Sequence, residues 1–250
     1  MNKPKISIIT VVRNSKGTIK DAIESVLNQT YKNIEYIIVD GGSTDGTVEL
    51  IKEYGNKIDK FISESDNGIY DGLNKGINLA SGDVVGLLHS DDLYNDNRTI
   101  EKVVDAFENE ELDGVYGDLV YTYKKETGKI LRYWKSKPYS FELLKKGWMP
   151  PHPTLFLKKQ IYDKYGNFDL NFKIAADYDF MLRILGDDVK VKYLPEVLYK
   201  MRVGGASNKS LKNIVQKSRE DLRALKKNNI GGYYSLALKN ISKISQFFTR

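Results

Sequence analysis

The sequence contains no cysteine, only two histidines and only six prolines among its 250 residues. The absence of cysteine excludes disulfide bonds, thiolate metal sites and cysteine nucleophiles. The N-terminal apolar run stops at Arg13, which makes it too short for a signal peptide or a membrane span. These absences predict a cytoplasmic protein.

Hydrophobic residues make up 41% of the chain and charged residues 29%, as in an ordinary globular protein, and the length suits one large α/β domain with a small extension. The net charge of +6 is unevenly distributed, because Val189 to Arg250 contains 14 basic and 3 acidic residues. Such a basic tail can form a solvated helix face, bind an anionic membrane or bind nucleic acid. We favour these in that order and expect no nucleic-acid partner.

The first half of the chain alternates strand and helix patterns. KISIITVV, IEYIIVD, DKFISESD and GDVVGLLHSDD are typical of buried strands, and apolar residues between the first two recur at helical spacing. TIEKVVDAFENEEL predicts an amphipathic helix, and the segment after it predicts a hairpin that turns near Thr127 and Gly128. The alternation predicts an α/β fold with a doubly wound, mostly parallel, Rossmann-like sheet.

Polar residues follow three of these strands at their carboxyl ends: Thr10 to Asn14, Asp40, and His89 to Asp92. Ligands of doubly wound sheets bind beyond this edge. The adjacent carboxylates of Asp91 and Asp92 repel each other unless water solvates them or a cation neutralises them. The pattern therefore favours a ligand site, with a solvated turn as the alternative.

Two common nucleotide-binding motifs are absent. VDGGSTDGT follows a strand but does not have the G-x-G-x-x-G spacing, and the chain has no G-x-x-x-x-G-K-[ST] loop. The sequence therefore argues against NAD-dependent enzymes and P-loop NTPases. Asp40 is suited to a base or ribose contact, whereas the glycines after it are also compatible with a simple turn before a helix.

Four separated segments resemble glycosyltransferase family 2, the inverting nucleotide-sugar transferases with the GT-A fold. They are SIITVVRNSKGTIKDAIESVLNQTYKNIEYIIVDGGSTDGT, GDVVGLLHSDDLY, IAADYDFMLRI and YKMRVGGAS, and they run from about Lys5 to about Ser207. The resemblance implies a GT-A domain over residues 1–207. Residues 208–250 are expected to form a basic, amphipathic helical extension.

The resemblance implies a set of residues that bind the nucleotide-sugar donor, a UDP-sugar by preference: Thr10, Val12, Asn14, Asp40, Asp66, Gly68, Asp71, Asp91 and Arg202. Asp92 would bind a divalent metal, Mn²⁺ or Mg²⁺, that bridges the two phosphates. Asp177 would be the catalytic general base. The family often has an acidic residue immediately before this base, and here Ala176 stands in that place.

The chemistry of sugar transfer asks for the same residue types. A hard divalent ion held by carboxylates neutralises a leaving diphosphate, and a carboxylate on the opposite face of the sugar accepts the proton of the attacking hydroxyl. Attack with a single base inverts the anomeric centre. From the residues alone, however, Asp177 and Asp179 at a helix start are equally compatible with stabilising the helix dipole.

Three further residues each have a packing alternative. His152 lies in a proline-rigid loop that could present it to the acceptor or to a metal, Trp148 could form a platform for a sugar ring, and Arg202 could clamp a phosphate. We interpret His89 as a packing residue in preference to a ligand.

The C-terminal segment combines cations with spaced aromatic and aliphatic residues. It suits a helix at an anionic membrane surface, which would make the protein peripheral at the inner face of the cell membrane, or a helix packed on its own domain or on a second subunit in a dimer. The preferred function is a metal-dependent glycosyltransferase acting on a saccharide or lipid-linked acceptor in surface polysaccharide synthesis. The alternative is an inactive nucleotide-sugar-binding module that serves as a partner or sensor.

Overall fold

The structure is a computed structural model that describes residues 3–204 and 211–245. In its first half, strands and helices alternate in the order β1 (Ile6–Val12), α1 (Ile19–Leu27), β2 (Ile34–Asp40), α2 (Thr47–Lys52), β3 (Lys60–Ser63), α3 (Ile69–Leu79), β4 (Val84–Leu87), β5 (Leu93–Tyr94) and α4 (Thr99–Asn109). The alternation predicted from the sequence is confirmed here.

The second half continues with β6 (Gly114–Thr122), β7 (Ile130–Trp134), α5 (Phe141–Lys145), β8 (Phe156–Lys158), α6 (Lys159–Tyr165), α7 (Ala176–Leu185), β9 (Val191–Arg202), α8 (Leu211–Lys227) and α9 (Tyr233–Ser245). Strands β6 and β7 form the predicted hairpin, and a short 3₁₀ turn over His152–Thr154 precedes β8.

The strands form one mixed sheet in the order β3-β2-β1-β4-β8-β6-β9-β5, with β7 attached to β6. Strands β1 to β4 pair in parallel, as predicted. Strand β8 is antiparallel to both β4 and β6, so β6 and β9 run in the same direction as β4. The sheet is therefore parallel in its first half and mixed in its second.

Apolar side chains alternate between the two faces of the sheet because successive residues of a strand point to opposite sides. On one face Ile8 and Ile38 pack against α1 and α4, and on the other Ile9 and Ile37 pack against α3 and α7. Strands covered by helices on both faces are apolar throughout, which explains the uninterrupted β-branched runs.

The C-terminal helices pack on this body. Ala224 and Leu225 of α8 are fully buried in the core that includes α7, and α9 joins α8 through a buried ion pair of 2.8 Å between Lys239 and Asp221. The boundary expected at Ser207 lies outside the described residues. Within residues 3–204 and 211–245, each helix is too short or too polar to cross a bilayer.

Candidate active site

The carboxyl ends of β1, β2, β4, β6 and β9 lie at one edge of the sheet, because these strands run in the same direction. Hydrogen bonds join the loops that follow them. The hydroxyls of Ser15 and Ser90 are 3.1 Å apart and connect the loops after β1 and β4. The convergence of polar strand ends expected from the sequence is present.

Asn14 connects the first two of these loops. Its side-chain oxygen accepts a hydrogen bond of 2.8 Å from the amide of Thr44, and its own amide donates one of 2.7 Å to the Ser43 hydroxyl. Asn14 has a φ of 51°, a left-handed conformation that asparagine tolerates better than most residues. An asparagine at this position therefore suits the tight turn at the edge.

Asp40 ends β2 with a fully buried carboxylate. One oxygen accepts hydrogen bonds from the amides of Gly42 (3.1 Å) and Ser43 (3.0 Å) and from the Ser63 hydroxyl (2.8 Å). The carboxylate thus shapes the glycine-rich loop, as the turn interpretation requires.

The side chains of Thr10 and Val12 are not at the edge. Both are buried on the face covered by α1, where the Thr10 hydroxyl lies 3.1 Å from the Tyr36 hydroxyl. The carbonyl of Val12 accepts a hydrogen bond of 2.9 Å from the amide of Gly41. These two residues support the sheet under the edge.

Asp66, Gly68 and Asp71 lie together where the chain turns into α3, Asp71 in the first turn of the helix. Asp66 accepts a hydrogen bond of 3.0 Å from the Gly68 amide, and Asp71 accepts one of 3.0 Å from the Asn67 amide. A Cβ atom added at Gly41 would lie 2.3 Å from a carboxylate oxygen of Asp66. The loop after β2 therefore contacts this turn closely, and only glycine allows the approach.

Asp91 and Asp92 have different environments. The Asp92 carboxyl is 2% exposed, accepts a hydrogen bond of 2.8 Å from the Arg202 amide and hydrogen-bonds the Tyr199 hydroxyl. Burial, together with the neighbouring Asp91 charge, raises the pKa of Asp92 well above its usual value. Asp91 is partly exposed. The more accessible carboxylate of the pair is thus that of Asp91.

Arg202 ends β9 and is 5% exposed. Its guanidinium donates hydrogen bonds to the carbonyls of Asp91 (2.8 Å) and Lys124 (3.1 Å) and forms an ion pair with Asp21. It joins the loop after β4 to the β6–β7 hairpin and to α1. A clamp on a phosphate would require these contacts to change.

A divalent cation fits the accessible Asp91 carboxylate when a diphosphate and water supply the further ligands. Within the described ranges, no three histidine, aspartate or glutamate side chains are grouped as a metal site. Mg²⁺ is commonly held by one or two carboxylates together with substrate phosphates and water. A single accessible carboxylate, that of Asp91, suits this arrangement and not an all-protein cage.

Asp177 lies in the first turn of α7, where its carboxylate accepts a hydrogen bond of 3.0 Å from the Tyr70 hydroxyl. Burial alone would raise the pKa of Asp177, but His152, which is protonated only in the acid range where Asp177 titrates, and the ammonium groups of Lys217 and Lys239 outweigh it, so the pKa of Asp177 lies below its usual value. Asp177 is therefore ionised at neutral pH, as a proton acceptor must be.

Both histidines lie beside Asp177. Burial lowers the pKa of His152 to about 4, and it also lowers the pKa of His89, whose imidazole interacts with the charges of both Asp91 and Asp177. Both rings are therefore neutral near pH 7. His152 also packs edge-on against Phe168, with ring centres 5.6 Å apart.

Trp148 lies in the loop before His152 and is half-buried. Its ring packs on Tyr116 at a centroid distance of 6.3 Å. This contact matches the packing alternative, and a role as a sugar platform stays a prediction.

Sequence reasoning missed Tyr70, Tyr199 and Glu220. Tyr70 lies in the first turn of α3, and no local pattern in the sequence shows that its hydroxyl reaches α7. Tyr199 and Glu220 lie in ordinary strand and helix patterns, and only the tertiary structure brings them to the edge.

The profile of glycosyl transferase family 2 matches residues 7–166. An uncharacterised glycosyltransferase of Methanocaldococcus jannaschii is 30% identical over 245 residues, which cover 94% of this chain and 79% of that protein. A Mycobacterium tuberculosis glycosyltransferase named for PGL/p-HBAD biosynthesis is 28% identical over 83% of this chain and 81% of its own length.

Solved structures confirm the α/β, GT-A fold. TarS of S. aureus has a TM-score of 0.69 at 17% identity, over 98% of this chain and 43% of the TarS chain. A TarS 1–349 fragment in complex with UDP-GlcNAc has a TM-score of 0.69 at 18% identity, over 88% of this chain and 66% of the fragment. The mannosyltransferase PcManGT of Pyrobaculum calidifontis was solved in complex with GDP-Man and Mn²⁺. It has a TM-score of 0.64 at 18% identity, over 99% of this chain and 74% of the PcManGT chain.

Proposed function

Since the chain belongs to glycosyl transferase family 2, we propose that it is a metal-dependent, inverting enzyme that transfers a hexosyl group from a nucleotide-diphosphate sugar to a saccharide or lipid-linked acceptor in surface polysaccharide synthesis. The observation that carries the proposal is that His89, just after the carboxyl end of β4, is close enough to both Asp91 and Asp177 for their charges to act on its imidazole. The accessible carboxylate for a cation and the candidate base therefore both lie near this strand end.

The donor is a nucleotide sugar in this proposal, with a UDP-sugar preferred. Support comes from the structural neighbours, which were solved with UDP, UDP-GlcNAc or GDP-Man. The donor would lie beyond the carboxyl ends of β1, β2 and β4, over the loops organised by Asn14, Asp40 and Asp66, in keeping with where open α/β sheets bind ligands.

We propose that Asp91 binds the cation, whereas the sequence resemblance implied Asp92 as the metal ligand. The partly exposed Asp91 can reach a diphosphate, whereas the buried Asp92 carboxyl is engaged by the Arg202 amide and Tyr199. When bound, Mn²⁺ or Mg²⁺ would neutralise the charge that develops on the leaving diphosphate. Asp92 and Arg202 then hold the loop that carries Asp91.

Asp177 accepts the proton of the acceptor hydroxyl as that oxygen attacks the anomeric carbon. The attack comes from the face opposite the departing diphosphate, so a single displacement inverts the configuration. Tyr70 keeps its proton, because burial and the Asp177 charge raise its pKa well above the usual value, and its hydroxyl orients the carboxylate. The neutral His152 beside Asp177 would face the acceptor.

We also propose that the C-terminal helices bind an anionic membrane surface. Tyr233 and Tyr234 at the start of α9 are 71% and 74% exposed, and Ile241 further along is 61% exposed. Apolar and aromatic side chains next to basic residues are typical of interfacial helices. The same apolar pattern continues in the sequence at Ile244, Phe247 and Phe248, whose side chains lie outside what the structure describes.

Binding of a nucleoside diphosphate tests the metal assignment. We expect UDP to bind the intact chain more tightly with Mn²⁺ than with a chelator, and Asp91→Asn to remove this dependence because the accessible ligand is lost. Asp92→Asn is the matched comparison. We expect its UDP affinity still to depend on Mn²⁺, and we expect the folded protein to be less stable than the parent. Isothermal titration calorimetry measures both.

Equal UDP affinity with and without Mn²⁺ in the intact chain would contradict metal dependence. If Asp92→Asn abolished the dependence and Asp91→Asn did not, the cation would belong to Asp92, as the sequence resemblance implied.

A further inference from the structure

The segment that leads into α7 is held by a carboxylate from another helix. Ala175 precedes the first helical residue and has no polar side chain with which to bind the free amides of the first turn. Glu220 of α8 instead binds the two backbone amides that immediately precede the helix. One of its carboxylate oxygens accepts hydrogen bonds from the amides of Ile174 (2.8 Å) and Ala175 (3.0 Å).

The Glu220 side chain is itself fixed. The residue is 8% exposed, and its second carboxylate oxygen accepts a hydrogen bond of 2.9 Å from the side-chain amide of Gln216, one turn earlier in α8. Hydrogen bonds to a carboxylate are stronger than those to a neutral acceptor and favour one geometry. The position of α8 therefore determines the position of the residues just before Asp177.

A second residue holds the same segment from the opposite side. The single proton of the Tyr70 hydroxyl is shared between two acceptors, the carbonyl oxygen of Ile174 at 2.8 Å and the Asp177 carboxylate at 3.0 Å. Ile174 is therefore bound through its amide by α8 and through its carbonyl by α3. The turn that carries Asp177 lies between these two contacts.

Helix α8 also contacts α7 further along, independently of this segment. The fully buried Asp179 carboxylate accepts hydrogen bonds from Lys227 (3.1 Å) and from the Asn228 side chain (3.0 Å). This second contact fixes the end of α8 against α7, and it provides a matched control because it makes no contact with residues 174–177.

We propose that Glu220 is a positioning residue for the general base, so that the C-terminal helix α8 is part of the catalytic machinery. The proposal rests on the assignment of Asp177 as the base. A displacement of about 1 Å at a reacting group can slow a reaction on the order of a hundredfold. The helix beyond the profile match thus acts on catalysis through the backbone of Ile174 and Ala175.

Three substitutions test the contact. Glu220→Ala removes the acceptor, Glu220→Asp keeps the charge but is too short to reach both amides, and Glu220→Gln keeps an acceptor oxygen at the same reach. With donor hydrolysis as the assay and UDP-glucose, UDP-GlcNAc and GDP-mannose as probes, we expect kcat to fall at least about tenfold in Glu220→Ala and Glu220→Asp. The donor KM should stay unchanged, and Glu220→Gln should restore most of kcat.

Hydrogen exchange provides a readout that does not depend on turnover. The amides of residues 174–178 should exchange faster in Glu220→Ala and Glu220→Asp, and they should not do so in the control Asn228→Ala, which weakens only the second contact by removing one of its hydrogen bonds. If Glu220→Ala does not fold, the inference is still tested by comparing the exchange rates and kcat of Glu220→Asp with those of Glu220→Gln.

Two results would overturn the inference. One is that residues 174–178 exchange at the parent rate in Glu220→Asp. The other is that the kcat of Glu220→Asp is no lower than the kcat of Asn228→Ala. If Asp177→Asn is inactive while the Glu220 variants are normal, the proposed function stands and only the positioning role fails. If Asp177→Asn itself turns over at the parent rate, the base assignment is wrong and this inference fails with it.

Discussion

His152 is a buried imidazole whose protonation the fold opposes. Burial lowers its pKa from 6.5 to about 4, so between these values the unfolded chain binds a proton that the folded chain does not. Stability is therefore lost as the pH falls from about 6.5 towards 4. We expect the free energy of unfolding to decrease by about 2 kcal/mol between pH 7 and pH 5 through this group.

Urea unfolding at the two pH values measures this effect, with His152→Gln as the non-titrating comparison. The variant should lose less stability on acidification than the parent. Its free energy of unfolding should still decrease somewhat at low pH, because burial also lowers the pKa of His89. An identical loss in parent and variant would mean that His152 is not protonated on unfolding in this range.

Single residues differ in how well the sequence predicts their places. The strand-end position of Asp91 follows from an apolar run that stops at a charged pair, a local signal. The burial of Thr10 and the contact between Tyr70 and Asp177 depend on which face of β1 meets α1 and on residues 107 positions apart. Neither relation has a local pattern, so the sequence could not predict it.

At the scale of elements, the exposed start of α9 is the feature that bears on membrane binding. Replacing both Tyr233 and Tyr234 with serine should weaken binding to phosphatidylglycerol vesicles by about tenfold, since each aromatic ring contributes on the order of 1 kcal/mol when it leaves water. Cosedimentation with vesicles gives the measurement.

Tyr123→Ser is the matched control, because Tyr123 is a comparably accessible tyrosine, 47% exposed, on the β6–β7 hairpin. Unchanged vesicle binding in the double variant would reject the α9 surface. Removing the tail from Gly231 onward is a poorer test, because it deletes Lys239, the buried partner of Asp221, and leaves that carboxylate without its counter-charge.

Elements with local periodicity were predictable, and long-range pairings were not. The β6–β7 hairpin follows from two apolar runs around a turn, and the structure confirms it. The insertion of the short strand β8, antiparallel between β4 and β6, depends on pairing between distant segments. The basic pattern of α8 indicated an amphipathic helix but not that Ala224 and Leu225 complete the core.

At the scale of the whole molecule, the C-terminal helices and the sheet form one packed body around the candidate site. Glu220 and Asp179 connect α8 to α7, and Arg202 connects β9 to the loop of Asp91. A substitution in the C-terminal helices is therefore expected to change the position of Asp177.

Sugar transfer by Asp177→Asn tests the central claim most directly. The asparagine keeps the size of the side chain and a contact to Tyr70 but cannot accept the acceptor's proton, so transfer should fall at least about a hundredfold while UDP binding is unchanged. Asp163→Asn, at an exposed helix aspartate paired with Lys159, is the control, because Asp179 is fully buried and bonded to Lys227 and Asn228, so its substitution would also disturb the packing of α7. Transfer by Asp177→Asn at the parent rate would contradict the account.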